Sequence, residues 1–328
     1  MHNLPRLQQV LESAHVFALD LRSEFRSIKR RVGVLFDGHV GWSEFAPFTE
    51  YSDEISSRWL RAALEFGFGD IDVSGKTIRT NGIVPILSIE ATKELVQEYL
   101  DVYQMNVIKL KCSESIENDT ERIEAILSLS GAITLRLDAN GTWSLAQAIE
   151  NAKRLEKYRE RIEFIEQPVR TLAEFKQLKA HTSIALAADE SIRLSHFENL
   201  DELHHYADVA ILKAIPVGGV EKALEIARHI SLPIIVSGSL DTSVGLVQGI
   251  ELASRLNLDA AHGFATGLLF KQDVVSNRVL PKNGEVSAIR QVPDPELLRA
   301  AVLKVTPDER QWWMERIKRS YHVLEKEQ

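Results

Sequence analysis

The pattern of apolar and polar positions changes twice along this chain. Residues 15–21 (HVFALDL) and 31–36 (RVGVLF) alternate as half-buried strands do. Asp37-Gly38 followed by residues 39–45 (HVGWSEF) predicts a hairpin, with Gly38 supplying a positive φ. Residues 55–66 (ISSRWLRAALEF) predict a helix carrying Trp59, Leu60, Ala63 and Leu64 on one face and stopped by Gly67. Together these make an α+β module, assigned to residues 1–80.

Beyond it, short apolar runs at 83–88, 107–111, 134–139, 164–167, 184–189, 209–213 and 234–237, with a weaker eighth at 259–262, alternate with amphipathic stretches at 92–103, 117–129, 145–155, 172–178, 220–230 and 244–256. Such alternation implies βα units and a parallel sheet. Eight units predict an α/β fold of the (β/α)8 type, a modified TIM barrel, over residues 81–270. The competing architecture is a doubly wound open sheet, but no G-x-G-x-x-G follows any strand, so its dinucleotide-binding form lacks a fingerprint. Residues 308–327 predict an amphipathic helix with Trp312, Trp313, Ile317, Tyr321 and Leu324 on its apolar side. Its mixed charges favour packing on the first module over a membrane-surface role. Residues 271–328 are therefore expected to complete an N-terminal capping domain.

Composition narrows the function class. Of the 328 residues, 45% are apolar and 26% charged, enough for a core and too few charges for a disordered chain. Lys and Arg number 39 against 47 Asp and Glu, a net charge of −8, which argues against nucleic acid as a partner. The single cysteine, Cys112, permits no internal disulfide and no Cys-rich metal site, and fits a reducing, cytoplasmic setting. Residues 1–10 have no signal-peptide core, and no run approaches the ~18–20 apolar residues of a membrane span.

The chemistry lies at the strand ends. In order they read Lys109-Leu110-Lys111, Asp138-Ala139-Asn140, Glu166-Gln167-Pro168, Ala188-Asp189-Glu190, Leu212-Lys213 and Ser237-Gly238-Ser239. The charged members recur every 23–28 residues, one βα unit each, so in a barrel they converge on the mouth where catalytic groups sit. Asp138, Glu166 and Asp189 are hard oxygen ligands suited to Mg²⁺, and three facing carboxylates without a cation would take up protons. Lys109 and Lys111, two apart, share a strand face, and each disfavours the other's charge, which makes one the better base. Taken singly, each feature has an ordinary structural explanation: a helix cap, a solvated edge, a turn. Five in register on consecutive strands do not.

These motifs, with Gly41-Trp42-Ser43-Glu44-Phe45-Ala46-Pro47, resemble the enolase superfamily in its muconate-lactonising-type subgroup, over nearly the whole chain. Leu137-Asp138-Ala139-Asn140-Gly141-Thr142-Trp143, Leu212-Lys213-x-x-Pro216-x-Gly218-Gly219-Val220 and Ser239-Leu240-Asp241-Thr242-Ser243-Val244-Gly245-Leu246 are similar to the actinobacterial-type o-succinylbenzoate synthase family. That resemblance implies Mg²⁺ or Mn²⁺ held by Asp138, Glu166 and Asp189, and syn-dehydration of a small carboxylate through an ene-diolate. It implies Lys111 as base and Lys213 on the opposite face, with Lys109, Arg136, Asn140, Glu190, Ser237, Gly238 and Ser239 binding substrate or supporting. The alternatives are an N-acylamino acid racemase or related epimerase on the same lysines, and a non-catalytic barrel. Residues 260–267 (AAHGFATG) lack the Asp-x-Asp of dipeptide epimerases and leave His262 and Phe264 without a role. Cys112 is expected in the barrel wall and His204-His205 on the surface. Gly218-Gly219 fits an anion site or a tight turn equally, and Phe48-Thr49-Glu50-Tyr51 a substrate-contacting loop or a linker.

Overall fold

The computed structural model describes residues 4–195, 197 and 200–327; the first three residues of the 1–10 segment read above lie outside them. Three antiparallel strands open the chain: β1 (His15–Phe25), β2 (Ile28–Asp37) and β3 (Trp42–Phe45), in that order in the sheet. The helix Asp53–Phe68 follows, started by the Ser52 hydroxyl accepting from the Ile55 N–H. Two local expectations are corrected. Gly38 does not supply the positive φ of the β2–β3 turn; Gly41 does, at +150°. Gly38 is small for another reason, since a Cβ there would meet the Gly67 carbonyl oxygen. Gly67 in turn does not stop its helix, which runs to Phe68 and is capped by Gly69; it lies buried within it, against the hairpin.

The remaining strands are β4 (Thr77–Arg79), β5 (Gly82–Val84), β6 (Val107–Lys111), β7 (Thr134–Asp138), β8 (Ile162–Glu166), β9 (Leu186–Ala188), β10 (Val209–Leu212), β11 (Ile234–Val236) and β12 (Glu285–Ser287). β4 and β12 pair by themselves. β5 to β11 form one parallel sheet in unbroken chain order. A doubly wound sheet requires that order to reverse, so the open-sheet alternative is excluded. The predicted eighth strand is reduced to two bridges, Thr80↔His262 and Ser237↔Gly263, which join the sheet's two edges and close the barrel. His262 earns its burial there. Its backbone N–H donates to Arg79 O and its carbonyl accepts from Asn81 N, both at 2.8 Å. Its Nδ1 accepts the Val236 N–H at 3.0 Å, and burial with the nearby Arg136 pushes the ring's pKa down to about 4, leaving it neutral. Phe264, fully buried, packs beside it over the helix Ser243–Leu256, where Gly249 leaves it room.

Several runs read as strands are shorter in the fold. Residues 83–88 keep only Ile83 and Val84, in β5, because the apolar run continues into the loop leading to the next helix, and residues 184–189 keep only Leu186–Ala188, because that run starts two residues before the strand. Helix starts follow hydroxyl caps: Ser88, Ser115, Ser144 and Thr171 each accept the N–H three residues on. The final helix, Pro307–Lys326, lays Trp313, Ile317, Tyr321 and Leu324 into one core with Val34, Phe45, Trp59 and Leu60 of the first module. A second core joins that module to the barrel through Phe17, Leu35, Phe48, Ile83, Leu240 and Val244. Cys112 is partly buried against the barrel-wall core, and His204 and His205 are exposed.

Two buried glutamates pin the first module to the barrel. Helix Val220–Ala227 begins at Gly219, which has no side chain to cap it. Glu65 supplies the cap: its carboxylate accepts from Val220 N at 2.6 Å and Glu221 N at 3.3 Å, and a Cβ on Gly219 would strike it. The Gly218-Gly219 pair thus serves an anion, and the anion is internal. Glu44 likewise accepts from Thr242 N, Thr242 Oγ1 and Gly245 N at the start of helix Ser243–Leu256. Burial pushes Glu65 up to about 7, against the pull of its two backbone donors. Between its ordinary value of 4.5 and about 7, the folded protein therefore binds a proton that the unfolded chain has released. That stabilisation is fully present below the unfolded value and lost as pH rises through about 7. Glu65→Gln keeps the acceptor and removes the titration, so its Tm should fall less than wild type's between about pH 5 and 8; parallel Tm profiles would refute the assignment.

Candidate active site

Alternation decides which strand residues face inward. On β7, Leu135 and Leu137 join the surrounding core, while Arg136 and Asp138 point into the barrel. On β6, Lys109 and Lys111 do the same. At the C-terminal ends of β6 to β10 these side chains join in one chain of contacts. Lys109 Nζ donates to both Glu166 oxygens at 2.7 and 2.6 Å and lies 2.8 Å from Asp138 Oδ2. Lys111 Nζ donates to Asp138 Oδ2 at 2.6 Å and to Asn140 Oδ1 at 2.7 Å. Asn140 Nδ2 donates to Glu190 Oε1, which also accepts from Arg193 Nη2 at 2.6 Å. Arg193 Nε reaches Asp189 Oδ1 at 3.2 Å, and Lys213 Nζ donates to Asp189 Oδ2 at 2.6 Å. Four cations thus face four carboxylates, and all three carboxylates read as ligands are at most 1% exposed.

The electrostatics follow from that arrangement. Against the opposing effect of burial, Lys109 and Lys111 hold Asp138 well below the usual carboxylate range. Lys213 and Arg193 hold Asp189 down to about 2 in the same way. Glu166, with burial and the Asp138 charge against it, is pushed up to about 7. Burial lowers Lys111, and the neighbouring Lys109 ammonium lowers it further, whereas the carboxylates around Lys109 raise that lysine. The two lysines of one strand face are therefore driven apart, and Lys111 is the one moved towards the neutral base.

A cavity opens above this chain. Lys109, Lys111, Asn140, Glu190 and Lys213 line it, as do Ser237, Gly238 and Ser239. Asp138, Glu166 and Asp189 do not line it; each is bonded to a lysine that does. Arg136 does not line the cavity. It crosses the barrel lower down, donating to Asn81 Oδ1, Ala261 O and the Glu163 carboxylate, so it supports the wall and the barrel seam. Among the described residues no three His, Cys, Asp or Glu side chains already stand close enough to hold one ion; Lys109 lies between Asp138 and Glu166 instead.

The first module supplies the other half of the cavity through Phe25, Arg26, Phe48, Tyr51 and Trp59. Tyr51 accepts from Arg193 Nη1 at 2.7 Å, which ties the 48–51 loop to the carboxylate chain. Arg26 and Ser27 form a two-residue hairpin turn between β1 and β2 with φ of +50° and +61°, a conformation that normally selects Asn and Gly. That turn sets Arg26 at the rim. The sequence carries the turn signal, two polar residues between alternating runs, but nothing local says that the turn overhangs a barrel mouth. Arg193, three residues beyond Glu190, had no role in the sequence reading; the fold gives it one, bridging Asp189 and Glu190.

Comparisons with known proteins agree with this architecture. Residues 16–67 match the enolase N-terminal domain-like family and residues 91–294 the enolase C-terminal domain-like family. The chain is 37% identical over 323 residues to an o-succinylbenzoate synthase of Mycobacterium leprae, covering 98% of this chain and 95% of that one. It is 37% identical over 318 residues to the o-succinylbenzoate synthase of Mycolicibacterium smegmatis, covering 96% and 97%. Among solved structures, a dipeptide epimerase from Enterococcus faecalis complexed with Mg and the dipeptide L-Leu-L-Tyr superposes with a TM-score of 0.70 at 18% identity, over 86% of this chain and 98% of that one.

Proposed function

We propose, from the premise that this chain belongs to the o-succinylbenzoate synthase family of the enolase superfamily, that it is the lyase removing water from 2-succinyl-6-hydroxy-2,4-cyclohexadiene-1-carboxylate to give 2-succinylbenzoate in menaquinone biosynthesis. One observation carries the chemistry: Lys111 and Lys213 face each other across the mouth. β6 and β10 stand four places apart among the barrel's eight positions, counting residues 262–263 as the eighth, so their lysines approach a bound carbon from opposite sides. The same reading makes residues 1–80 and 271–328 a cap over a catalytic barrel at 81–270, and takes a small carboxylate as partner and the cytoplasm as compartment. No described helix is long and apolar enough to cross a membrane.

The donor set fits a divalent cation. Asp138, Glu166 and Asp189 are three anionic oxygen ligands on adjacent strands, each now facing an ammonium, so the position already gathers positive charge. Mg²⁺ or Mn²⁺ bound there would polarise the substrate carboxylate and stabilise charge developing on its oxygens. The residues do the rest. Lys111, uncharged, removes the proton alpha to the carboxylate; the electron pair of that C–H bond becomes ring π-bonding as the C–OH bond breaks. Lys111 then returns the proton to the departing hydroxyl, which leaves as water from the same face. Asn140 holds Lys111 at the rim, and Lys213 presents its charge to the opposite ring face, an attraction worth ~2 kcal/mol or more when desolvated.

Two lysines facing one carbon suit a two-base racemisation equally well, which keeps an N-acylamino acid racemase as the second reading. One assay separates them. The Mg²⁺-loaded protein should consume the cyclohexadiene substrate with loss of its absorbance and appearance of 2-succinylbenzoate by mass spectrometry. Racemisation of N-succinylamino acids with no turnover of the diene would reverse the order of the two readings.

A further inference from the structure

Arg31 lies on β2, outside the cavity, and it is 2% exposed. It nevertheless touches both cavity walls. Its Nε donates to Leu240 O at 3.0 Å, and its Nη2 lies 3.5 Å from Ser239 O, both on the barrel loop after β11. The same Nη2 donates to Ala46 O, at the start of the cap loop. Its guanidinium carbon stands over the Phe48 ring, 4.3 Å from the centroid. Phe48, Ser239 and Leu240 all line the cavity.

Leu240 has a φ of +64°, which a branched aliphatic residue adopts only when its surroundings impose it. The Arg31 bonds to consecutive carbonyls, and the Ser239 N–H donating to Asp241 Oδ2 at 2.7 Å, are what impose it. A planar guanidinium offers five donors in a fixed fork, so it can meet three carbonyls while stacking on a ring; an ammonium on a flexible stem cannot do both.

We propose that Arg31 is a positioning residue for the dehydration: its single guanidinium sets the spacing between the cap wall at Phe48 and the barrel wall at Ser239–Leu240, and with it the fit of the substrate between them. The proposal rests on the synthase reading above. The competing explanation is that Arg31 only balances the buried Glu44 and Asp241 carboxylates, whose charges attract it. Arg31→Lys separates the two, since it keeps the charge and loses the fork.

The expected result is a folded Arg31→Lys protein, melting cooperatively near the wild-type temperature, with KM raised about tenfold, the affinity for 2-succinylbenzoate weakened to match, and kcat changed less, because misplaced walls cost positioning rather than chemistry. Wild-type KM and product affinity in Arg31→Lys would overturn the proposal and leave charge balance as the role. Should Arg31→Lys not fold, Phe48→Leu tests the same link from the far wall. By removing the stacked ring it should speed amide hydrogen exchange at residues 239–241, and unchanged exchange there would equally overturn the proposal. Inactivity of the wild-type protein towards the cyclohexadiene substrate would instead refute the synthase reading, so the two failures are distinguishable.

Discussion

Lys111→Ala should fold and should lose dehydration, kcat falling by roughly 10²–10⁴-fold, the usual contribution of a positioned acid–base group. Folding should survive because Asp138 keeps Lys109 at 2.8 Å when Lys111 is removed. The variant should also lose exchange of the substrate's alpha proton with D₂O, since Lys213 faces the opposite side of the ring. Lys213→Ala should fold for a parallel reason, Asp189 retaining Arg193. Its loss should fall mainly on kcat, as expected for a charge used in the transition state. Lys213→Arg, which preserves charge with a different shape, should retain more activity than Lys213→Ala. Wild-type dehydration by Lys111→Ala would show that the base is elsewhere. Loss of proton exchange for one enantiomer only, in each single lysine variant, would favour the racemase.

Removal of divalent cations should abolish turnover, and Mg²⁺ should restore it, because a proton alpha to a carboxylate is too weakly acidic for a lysine to take unaided. Asp138→Asn, Glu166→Gln and Asp189→Asn should each weaken cation binding, read directly by Mn²⁺ electron paramagnetic resonance without turnover. Their stability should differ from that of the lysine variants. Asp138→Asn takes from Lys111 the carboxylate it donates to, while Lys109 keeps Glu166, and breaking a buried pair costs about 3–5 kcal/mol. Folded protein with unaltered Mn²⁺ binding in all three variants, or full turnover after exhaustive chelation, would remove the metal from the mechanism.

Much of the barrel was readable because its information is local. A parallel strand buried on both faces is a short apolar run, and a charge at its end marks where the chain leaves the core for the mouth. Lys111, Asp138, Glu166, Asp189 and Lys213 could be read off in that way, and the structure links them through Lys109, Asn140, Glu190 and Arg193. Strand and helix lengths were less readable, because apolar residues continue past the last paired position, as at residues 85–87. The eighth strand was faint in the sequence for a physical reason: two bridges and a buried neutral His262 suffice to close the barrel, so no long apolar run is needed there.

What the sequence by itself determined, then, was the βα period, the inward face of each strand and the charges brought to one end, since each depends on spacing within a few residues. The tertiary structure alone decided which distant groups meet. Glu65 caps a helix 155 residues away, Glu44 one 198 residues away, and Arg31 bonds a carbonyl 209 residues away. It also decided that Arg26, at the tip of a strained turn, overhangs the mouth, and that Arg136 spans the barrel below it. Periodicity records that a side chain is buried or exposed; it carries nothing about what lies across the gap, because that is set by how the two modules pack.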